Sequence, residues 1–427
     1  MSEWVEKPLG TLTQLDIGGT PSRDVSAYWV EGHQGGHPWL SIADLRAGRT
    51  IETSERITDL GVTHSNVKRI KKGTVLMTFK LTIGEVAIAG CDLFTNEAIV
   101  AITPKSKEIS TAFLLHALPR ATKAAVTDAA IKGATLNKDK LAKIVIRFPK
   151  DHEYQSAIDR ALRALDAQID AIEVLIAKQE QVRAGLMQDL FTRGVDEHGQ
   201  LRPIREEAPH LYDQTELGWL PREWQALPFD RIVDPNRPIS YGILMPGPDI
   251  PDGVPVIKVR DIKGGEIVQS RLLRTSKEID AEYARSRLRE GDLLMTIRGT
   301  VGRTAIVPSE LAGANITQDT ARIAIVGGSS DYYREYLCSH AAVIYLQSNT
   351  LGNAVQGINL RDVKSMRVPV PPPTEQAAIA ARLTSHRRYS RAILSELEAL
   401  RLQKIGLMQD LLTGKVSVAP LLERAAT

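Results

Sequence analysis

A few side chains carry the chemistry this sequence could do. Lys80 closes the run Thr74-Val75-Leu76-Met77-Thr78-Phe79-Lys80, and Arg298 closes Leu294-Met295-Thr296-Ile297-Arg298. A cation at a strand end can donate to guanine O6 and N7 or to a phosphate; the competing reading is a solvated strand end. Asn96 and Gln318 carry the amide that pairs with adenine through two hydrogen bonds, or that caps a turn. Tyr241, in Ser240-Tyr241-Gly242, can stack on a base or simply pack. Lys258 and Arg260 flank Val259 and are expected on one strand face, suited to phosphates. The basic runs 68–72 and 285–289 are further phosphate candidates, with solvated charge as their ordinary fate.

Catalytic patterns are missing. There is no phosphate-binding Walker loop, no His-Glu-x-x-His and no metal-spaced Cys/His cluster, so no metal site is expected. A DNA methyltransferase would need a Gly-rich cofactor loop and an Asn/Asp-Pro-Pro-aromatic motif; Asp234-Pro235-Asn236 is not one. Asp261-Ile262-Lys263 has the letters of a nuclease element, but its counterpart is Asp44-Leu45-Arg46, which reads as turn chemistry. The sequence therefore predicts no catalytic residue.

Composition sets outer limits. A chain of 427 residues with 43% hydrophobic content can bury two or more cores. A net charge of +3 permits nucleic acid without demanding it, so a DNA-binding surface must come from local concentration of charge. The two cysteines, Cys91 and Cys338, lie in unmatched apolar contexts, which fits a reducing compartment rather than a disulfide framework. No signal-like apolar core and no apolar run of about eighteen residues occurs, so a cytoplasmic protein with no membrane contact is expected.

The elements that must position these residues come in two copies. Gly185-Leu186-Met187-Gln188-Asp189-Leu190 recurs as Gly406-Leu407-Met408-Gln409-Asp410-Leu411. At the same offset Gln155 falls on Gln376, Ile158 on Ile379, Leu162 on Leu383, Ile172 on Ile393 and Ile176 on Leu397. Steps of four and three link Ile158, Leu162, Leu165, Ile169, Ile172 and Ile176, with Val182, Leu186 and Leu190 resuming after a shift. The second copy runs through Ile379, Leu383, Ile393, Leu397, Leu400, Leu407 and Leu411, with polar His386, Ser390 and Lys404 in the same stripe. Such a narrow stripe suits a coiled-coil seam, and its own copy is the obvious partner. About forty residues make a rod of roughly 60 Å.

Before each rod lies a globular part of short strands and connecting helices, so each half is α+β. The expected division is residues 1–150, a helix over 151–195, a linker over 196–221, a second globular part over 222–370, a second helix over 371–416 and a tail over 417–427. In the first part, strands are expected over 74–80, 83–88, 96–102 and 144–149, a helix over 111–118 and a loop over 133–137. The second part follows the same order: Val254-Pro255-Val256-Ile257, then Leu294 to Arg298, then Gln318-Asp319-Thr320-Ala321 set against Asn96-Glu97-Ala98-Ile99, then Gly357-Ile358-Asn359-Leu360.

Laid side by side, the halves resemble the specificity subunit of type I restriction–modification systems over nearly the whole chain. The resemblance rests on Gly18-Gly19-Thr20-Pro21-Ser22 with Tyr28-Trp29, Ser240-Tyr241-Gly242 and Gly253-Val254-Pro255. It rests further on Gly291-Asp292-Leu293-Leu294 with Arg298-Gly299, Gly357-Ile358-Asn359-Leu360 leading to Glu375-Gln376, and the doubled hexapeptide. The first half departs from it at Thr78-Phe79-Lys80-Leu81 and lacks a proline run before its helix. The resemblance implies a non-catalytic subunit with two target-recognition domains, each reading one half of a split, asymmetric sequence in double-stranded DNA. It implies two long helices packed antiparallel as a spacer. It also implies docking of two modification subunits, which carry S-adenosylmethionine, and of a motor-nuclease restriction subunit; no cofactor is expected in this chain itself. The helix–helix and partner positions it implies are Ile158, Leu162, Ile169, Ile176, Leu186, Ile379, Leu383, Ile393, Leu397 and Leu407. The alternative is a coiled-coil scaffold without DNA recognition.

Overall fold

The computed structural model describes residues 3–32, 35–45, 50–51, 53–80, 82–127, 136–352 and 356–420. The chain forms two compact units: residues 1–172 with 396–427, and residues 173–395. Both are mixed α/β, and each of the two long helices, His152–Thr192 and Pro373–Leu411, supplies one end to each unit.

Local chemistry sets the helix limits. The Asp151 carboxylate accepts from the Glu153 N–H at 2.8 Å, capping the first helix. Pro373, with its preset φ and missing N–H, opens the second. Both end on a left-handed glycine, Gly194 (φ 64°) and Gly414 (φ 70°). The Gly194 N–H returns to the Asp189 carbonyl at 3.2 Å and the Lys415 N–H to the Asp410 carbonyl at 3.0 Å. This is why a glycine follows each copy of the hexapeptide.

In unit 1 a sheet runs in the order Thr13–Ile17, Ile99–Pro104, Val75–Thr78, Val86–Ala89 and Thr50–Ile51. A three-stranded sheet places His37–Leu40 between Glu55–Ile57 and Phe94–Thr95. The helix expected over 111–118 runs on to Thr127 through Pro119. Of the expected 133–137 loop, residues 133–135 lie outside the described residues. Unit 2 repeats the plan with the order Ser240–Tyr241, Thr320–Ile323, Leu293–Thr296, Thr304–Ile306, and with Val254–Ile257 between Leu273–Thr275 and Asn315–Ile316. The segment 196–221 is a folded connector: Tyr212–Thr215 and Gly218–Pro221 pair antiparallel, and Tyr212 and Leu220 are buried.

The helical stripes supply core to each unit. In unit 1, Ile158 and Leu162 are fully buried in one cluster with Leu411, Leu412 and Val418, with Leu407 packed against it. In unit 2, Met187, Leu190 and Phe191 share a cluster with Ile379 and Leu383, and Leu186 packs on it. Full burial of each such side chain contributes roughly 1.5–3 kcal/mol. Ile169, Ile393 and Leu397 are also buried. Val182, expected in the seam, is 46% exposed. The first helix turns Met187 and Phe191 inward instead, and the Phe191 ring meets Tyr332 and Tyr336 at 5.4 and 5.3 Å. A broad globular core, not a narrow partner stripe, selects the buried residues there. Of the polar members of the second stripe, Lys404 pairs with Asp166 in unit 1, and His386 shares a 3.4 Å hydrogen bond with Ser390 in unit 2.

The repeated glutamines do identical work. Gln155 donates to the Pro149 carbonyl and accepts from the Ser110 N–H. Gln376 donates to the Pro371 carbonyl and accepts from the Ser329 N–H. Each ties the last strand before a long helix to the start of another helix. The residue before each glutamine grips the segment that follows the other long helix. The Tyr154 hydroxyl accepts from the Val418 N–H at 3.0 Å. Glu375 accepts from the Val195 N–H at 2.8 Å, from the Trp224 indole at 3.0 Å and from Arg202.

Candidate nucleic-acid interface

In unit 2, three of the predicted residues line one cavity of about 450 Å³: Tyr241, Arg298 and Gln318. Arg298 stands two residues beyond the fully buried strand Leu293–Thr296, and Gly299 turns left-handed (φ 74°) behind it. Thr296 holds that turn, donating to the Thr300 carbonyl and accepting from the Arg303 N–H. The loop at Gly357-Ile358 is zipped to the same turn: Gly299 N–H to Gln356 O at 2.8 Å, Ile358 N–H to Ile297 O at 2.9 Å. A Cβ on Gly357 would stand 3.3 Å from the Arg298 Cγ, so a small residue lets the loop and the arginine lie side by side. Arg298 Nη1 donates to Gln318 Oε1 at 3.3 Å. That bond fixes the guanidinium plane and leaves its remaining donors and the Gln318 amide NH₂ free for base edges. Tyr241 is 37% exposed, ring available at the cavity wall.

Unit 1 holds the counterparts. Backbone ladders equate Thr78 with Thr296, since Thr78 pairs with Ile99 and Thr296 with Thr320. Lys80 is therefore the partner of Arg298, as the sequence indicates. The other equivalence requires correction. The Asn96 N–H bonds Leu40 O and the Thr317 N–H bonds Ile257 O, so Asn96 stands with Thr317, and Glu97 with Gln318. Asn96 has spent its amide oxygen on the Ala98 N–H at 3.0 Å, the turn-capping alternative. Glu97 is the residue that sequence comparison missed; a one-residue shift in alignment hides it. The Thr20 hydroxyl, by donating to it, holds its carboxyl below the usual range against the effect of burial, and the charges of Lys80 and Arg23 add to this. A Cβ on Gly18 would lie 2.2 Å from the Thr95 carbonyl, and one on Gly242 1.9 Å from the Ile316 carbonyl. The duplicated glycine thus exists for close backbone packing beside each site.

Lys258 and Arg260 do not share a strand face. The strand ends at Ile257, and Lys258 precedes a 3-10 turn, Val259–Asp261. Asp261 accepts from the Lys258 N–H at 2.9 Å and stops the strand; its carboxylate also lies 3.5 Å from the Arg260 guanidinium. The two basic runs differ. In unit 1, Lys68 pairs with Asp16 at 2.9 Å, Lys71 with Asp92 at 2.8 Å and Arg69 with Asp92 at 3.4 Å. In unit 2, Arg287 pairs with Asp280, while the side chains of Arg285 and Arg289 pair with no carboxylate among the described residues. Ile176 and Ile393 line another unit 2 cavity. Among the described residues no group of three or more His, Cys, Asp or Glu is placed to hold a metal, and no helix is long and apolar enough to cross a membrane.

The sequence matches the family of type I restriction modification DNA specificity domains twice, over residues 1–181 and 249–399. The Escherichia coli EcoBI type I restriction enzyme specificity subunit is 28% identical over 363 residues, 77% of this chain and 74% of its own length. The Methanocaldococcus jannaschii MjaVIII specificity subunit is 22% identical over 396 residues, 90% of this chain and 87% of its own. In fold, the chain is similar to a type I restriction–modification S subunit from M. genitalium, with a TM-score of 0.56 at 15% identity over 96% of both chains. A chain from a type I system described for its complex assembly and conformational transition gives 0.59 at 16% identity, over 96% of this chain and 97% of that one.

Proposed function

The chain belongs to the type I restriction–modification DNA specificity family, and on that premise we propose that it reads a bipartite, asymmetric target through two recognition units, and has no catalytic step of its own. The observation that carries this is the double match, one to each half of the chain. As a specificity subunit it supplies the DNA sequence preference of a type I complex, and the family match does not favour a scaffold that never touches DNA.

The recognition domains are residues 1–150 and 222–370, joined by helices over 151–195 and 371–416, a connector over 196–221 and a tail over 417–427. In the second half, Arg298 takes guanine O6 and N7, Gln318 orients it and offers its amide to the neighbouring base, and Tyr241 stacks from the side. In the first half Lys80 stands in the place of Arg298, with Glu97 as acceptor for a cytosine or adenine amino group, and Asn96 beside it. Lys258 and Arg260 reach the DNA backbone from their turn. The long helices run antiparallel. Support comes from each unit alone: the start of the first helix packs with the end of the second in unit 1, and the reverse in unit 2. Ile158, Leu162, Ile169, Ile379, Leu383, Ile393 and Leu397, buried within the units, hold the helices, and Ile176, Leu186 and Leu407, only partly buried, are left for a partner. A rigid spacer suits half-sites separated by about one helical turn, roughly 34 Å. Two modification subunits, which bring S-adenosylmethionine and methylate adenine, dock on the duplicated helices, a restriction subunit joins for cleavage, and the assembly works in the cytoplasm.

Methylome sequencing of a host carrying the chain and its methyltransferase tests this. One split adenine-methylated motif is expected, lost on deletion of the chain. Arg298→Ala should cost about 1–3 kcal/mol at a single base pair, relaxing one position in one half-motif only. A methylome indifferent to the deletion would overturn the reading.

A further inference from the structure

Arg322 is a charge without a counter-ion. It lies in the Thr320–Ile323 strand at the floor of a cleft of about 720 Å³ in unit 2 and is 1% exposed. Its guanidinium donates only to neutral oxygens: the carbonyls of Arg237, Pro238 and Arg285 and the Ser240 hydroxyl. Its Nε, also buried, has no partner. Burial lowers its hold on its proton, the charges of Arg237 and Arg289 add to that, and Asp292 and Asp234 oppose it from a distance without reversing it. Asp292 does not bond Arg322: both its oxygens accept from Arg237, at 2.8 and 2.6 Å. Burying an ion without an opposite charge is costly unless something else supplies one.

The rim adds more of the same sign. Arg285, Arg289 and Lys364 line the cleft, and their side chains pair with no carboxylate among the described residues. Arg285 also sits 5.9 Å from the centre of the Tyr241 ring. Tyr241 and Leu360 line both this cleft and the cavity of Arg298 and Gln318, so the two are continuous. On the other side Lys364 leads into a depression lined by Arg231 and Arg361.

Among the described residues, unit 1 lacks the counterparts of these cations. Its ladders place Ala101 opposite Leu76 where unit 2 has Arg322 opposite Leu294. The Ile70–Leu93 backbone pair matches Leu288–Ala314, which sets Val67 at the place of Arg285. The Leu9–Ile144 bond matches Phe229–Met366, which sets Ala142 at the place of Lys364. Three cations of one unit are three apolar residues in the other, so the cluster is not a requirement of the shared fold.

We propose that the Arg322 cleft is a DNA backbone phosphate site confined to the second recognition unit, seating a phosphodiester between Arg285 and Lys364 at the rim, over the buried charge of Arg322 and beside the base-reading cavity. This rests on the DNA-reading function. It makes the two halves unequal: the second supplies more of the sequence-independent, salt-sensitive affinity.

The test uses the full chain assembled with its methyltransferase, a duplex carrying the methylated motif, and fluorescence anisotropy across a potassium chloride series. Each phosphate contact contributes about 0.9 to the slope of log K against log salt. Arg285→Gln with Lys364→Gln, both changes at the cleft rim, should lower that slope by about 0.9, the share of one phosphate, and weaken matched and mismatched duplexes alike, with the methylated motif unchanged. Arg322→Gln should do the same if it folds. An unchanged slope with intact binding would overturn the phosphate site and leave the specificity reading standing. Wild-type complex with no salt-dependent binding to the motif would overturn both. If the double variant instead loses thermal stabilisation by inorganic phosphate while its DNA slope stays at the wild-type value, the cleft takes a free anion, and the proposal fails.

Discussion

Glu375→Ala should open unit 2 at one point. The carboxylate is 7% exposed and accepts from Val195, Trp224 and Arg202, whose own side chain is 11% exposed. Its removal strands one cation and two N–H donors in a region sealed from water. Breaking a buried pair from one side costs about 3–5 kcal/mol. Arg202 retains Glu223 at 3.2 Å, an exposed partner, so the lower end applies, about 3 kcal/mol. With a urea slope of about 3 kcal/mol per molar, the midpoint of the unit 2 transition should fall by about 1 M. Trp224 makes the change visible, because it loses its indole acceptor and its emission should move to the red at low urea. Val195 and Trp224 bond different oxygens of Glu375, so Glu375→Gln keeps an acceptor for only one of them, turns its NH₂ toward the other donor, and should lose nearly as much. A loss below about 1 kcal/mol for the alanine variant would show that the four-way junction holds nothing, and the argument from buried donors would be refuted.

Two further outcomes are expected. In unit 1, burial pushes the Asp159 carboxyl up, but hydrogen bonds from His116 and Arg163 prevail and hold it below its ordinary value of 3.8. A depressed carboxylate stabilises the fold above that value and ceases to do so as pH falls through the lower, folded one. The melting-temperature gap between wild type and Asp159→Asn should therefore be full near neutrality and shrink below about pH 4; a gap independent of pH would remove Asp159 from the account. Gly185 and Gly406 lie inside helices, and a Cβ added to either meets nothing within 4 Å. Alanine at each should add about 1 kcal/mol of stability, read by thermal melting, and a fall in stability at either position would mean that the helix face is more closely packed than this chain alone shows.

What could be read from the sequence was what repeats at a fixed offset with a strong period. The long helices followed from uninterrupted four–three spacing, and Arg298, with Lys80 as its counterpart, from strands that align without gaps. The readings went astray where the period is weak. Gln318 was set against Asn96 because Asn and Gln look alike; the ladder, which is a matter of backbone register, pairs it with Glu97. Lys258 and Arg260 suggested a strand face because alternation cannot show that Asp261 would stop the strand. Val182 fits a heptad and is nonetheless exposed, since tertiary packing recruits Phe191 in its stead. Arg322 could not have been found at all. One arginine in a run of apolar letters carries no signal until the carbonyls of Arg237, Pro238 and Arg285 are seen to surround it.

The grip of Tyr154 on Val418 bears on the order in which the protein can be made. Unit 2 draws on one continuous stretch, 173–395, and every group of its core has left the ribosome once that stretch has emerged. Unit 1 begins first but cannot finish first. Leu411, Leu412 and Val418 are part of its core, so the cluster around Ile158 and Leu162 stays incomplete through the synthesis of some 250 further residues. At about 5–20 residues per second that is an interval of about 12–50 s. During this time the earlier-made half depends on the later-made one being quick to fold and out of the way, and a slow-folding substitution in residues 173–395 is expected to harm the solubility of the first 172.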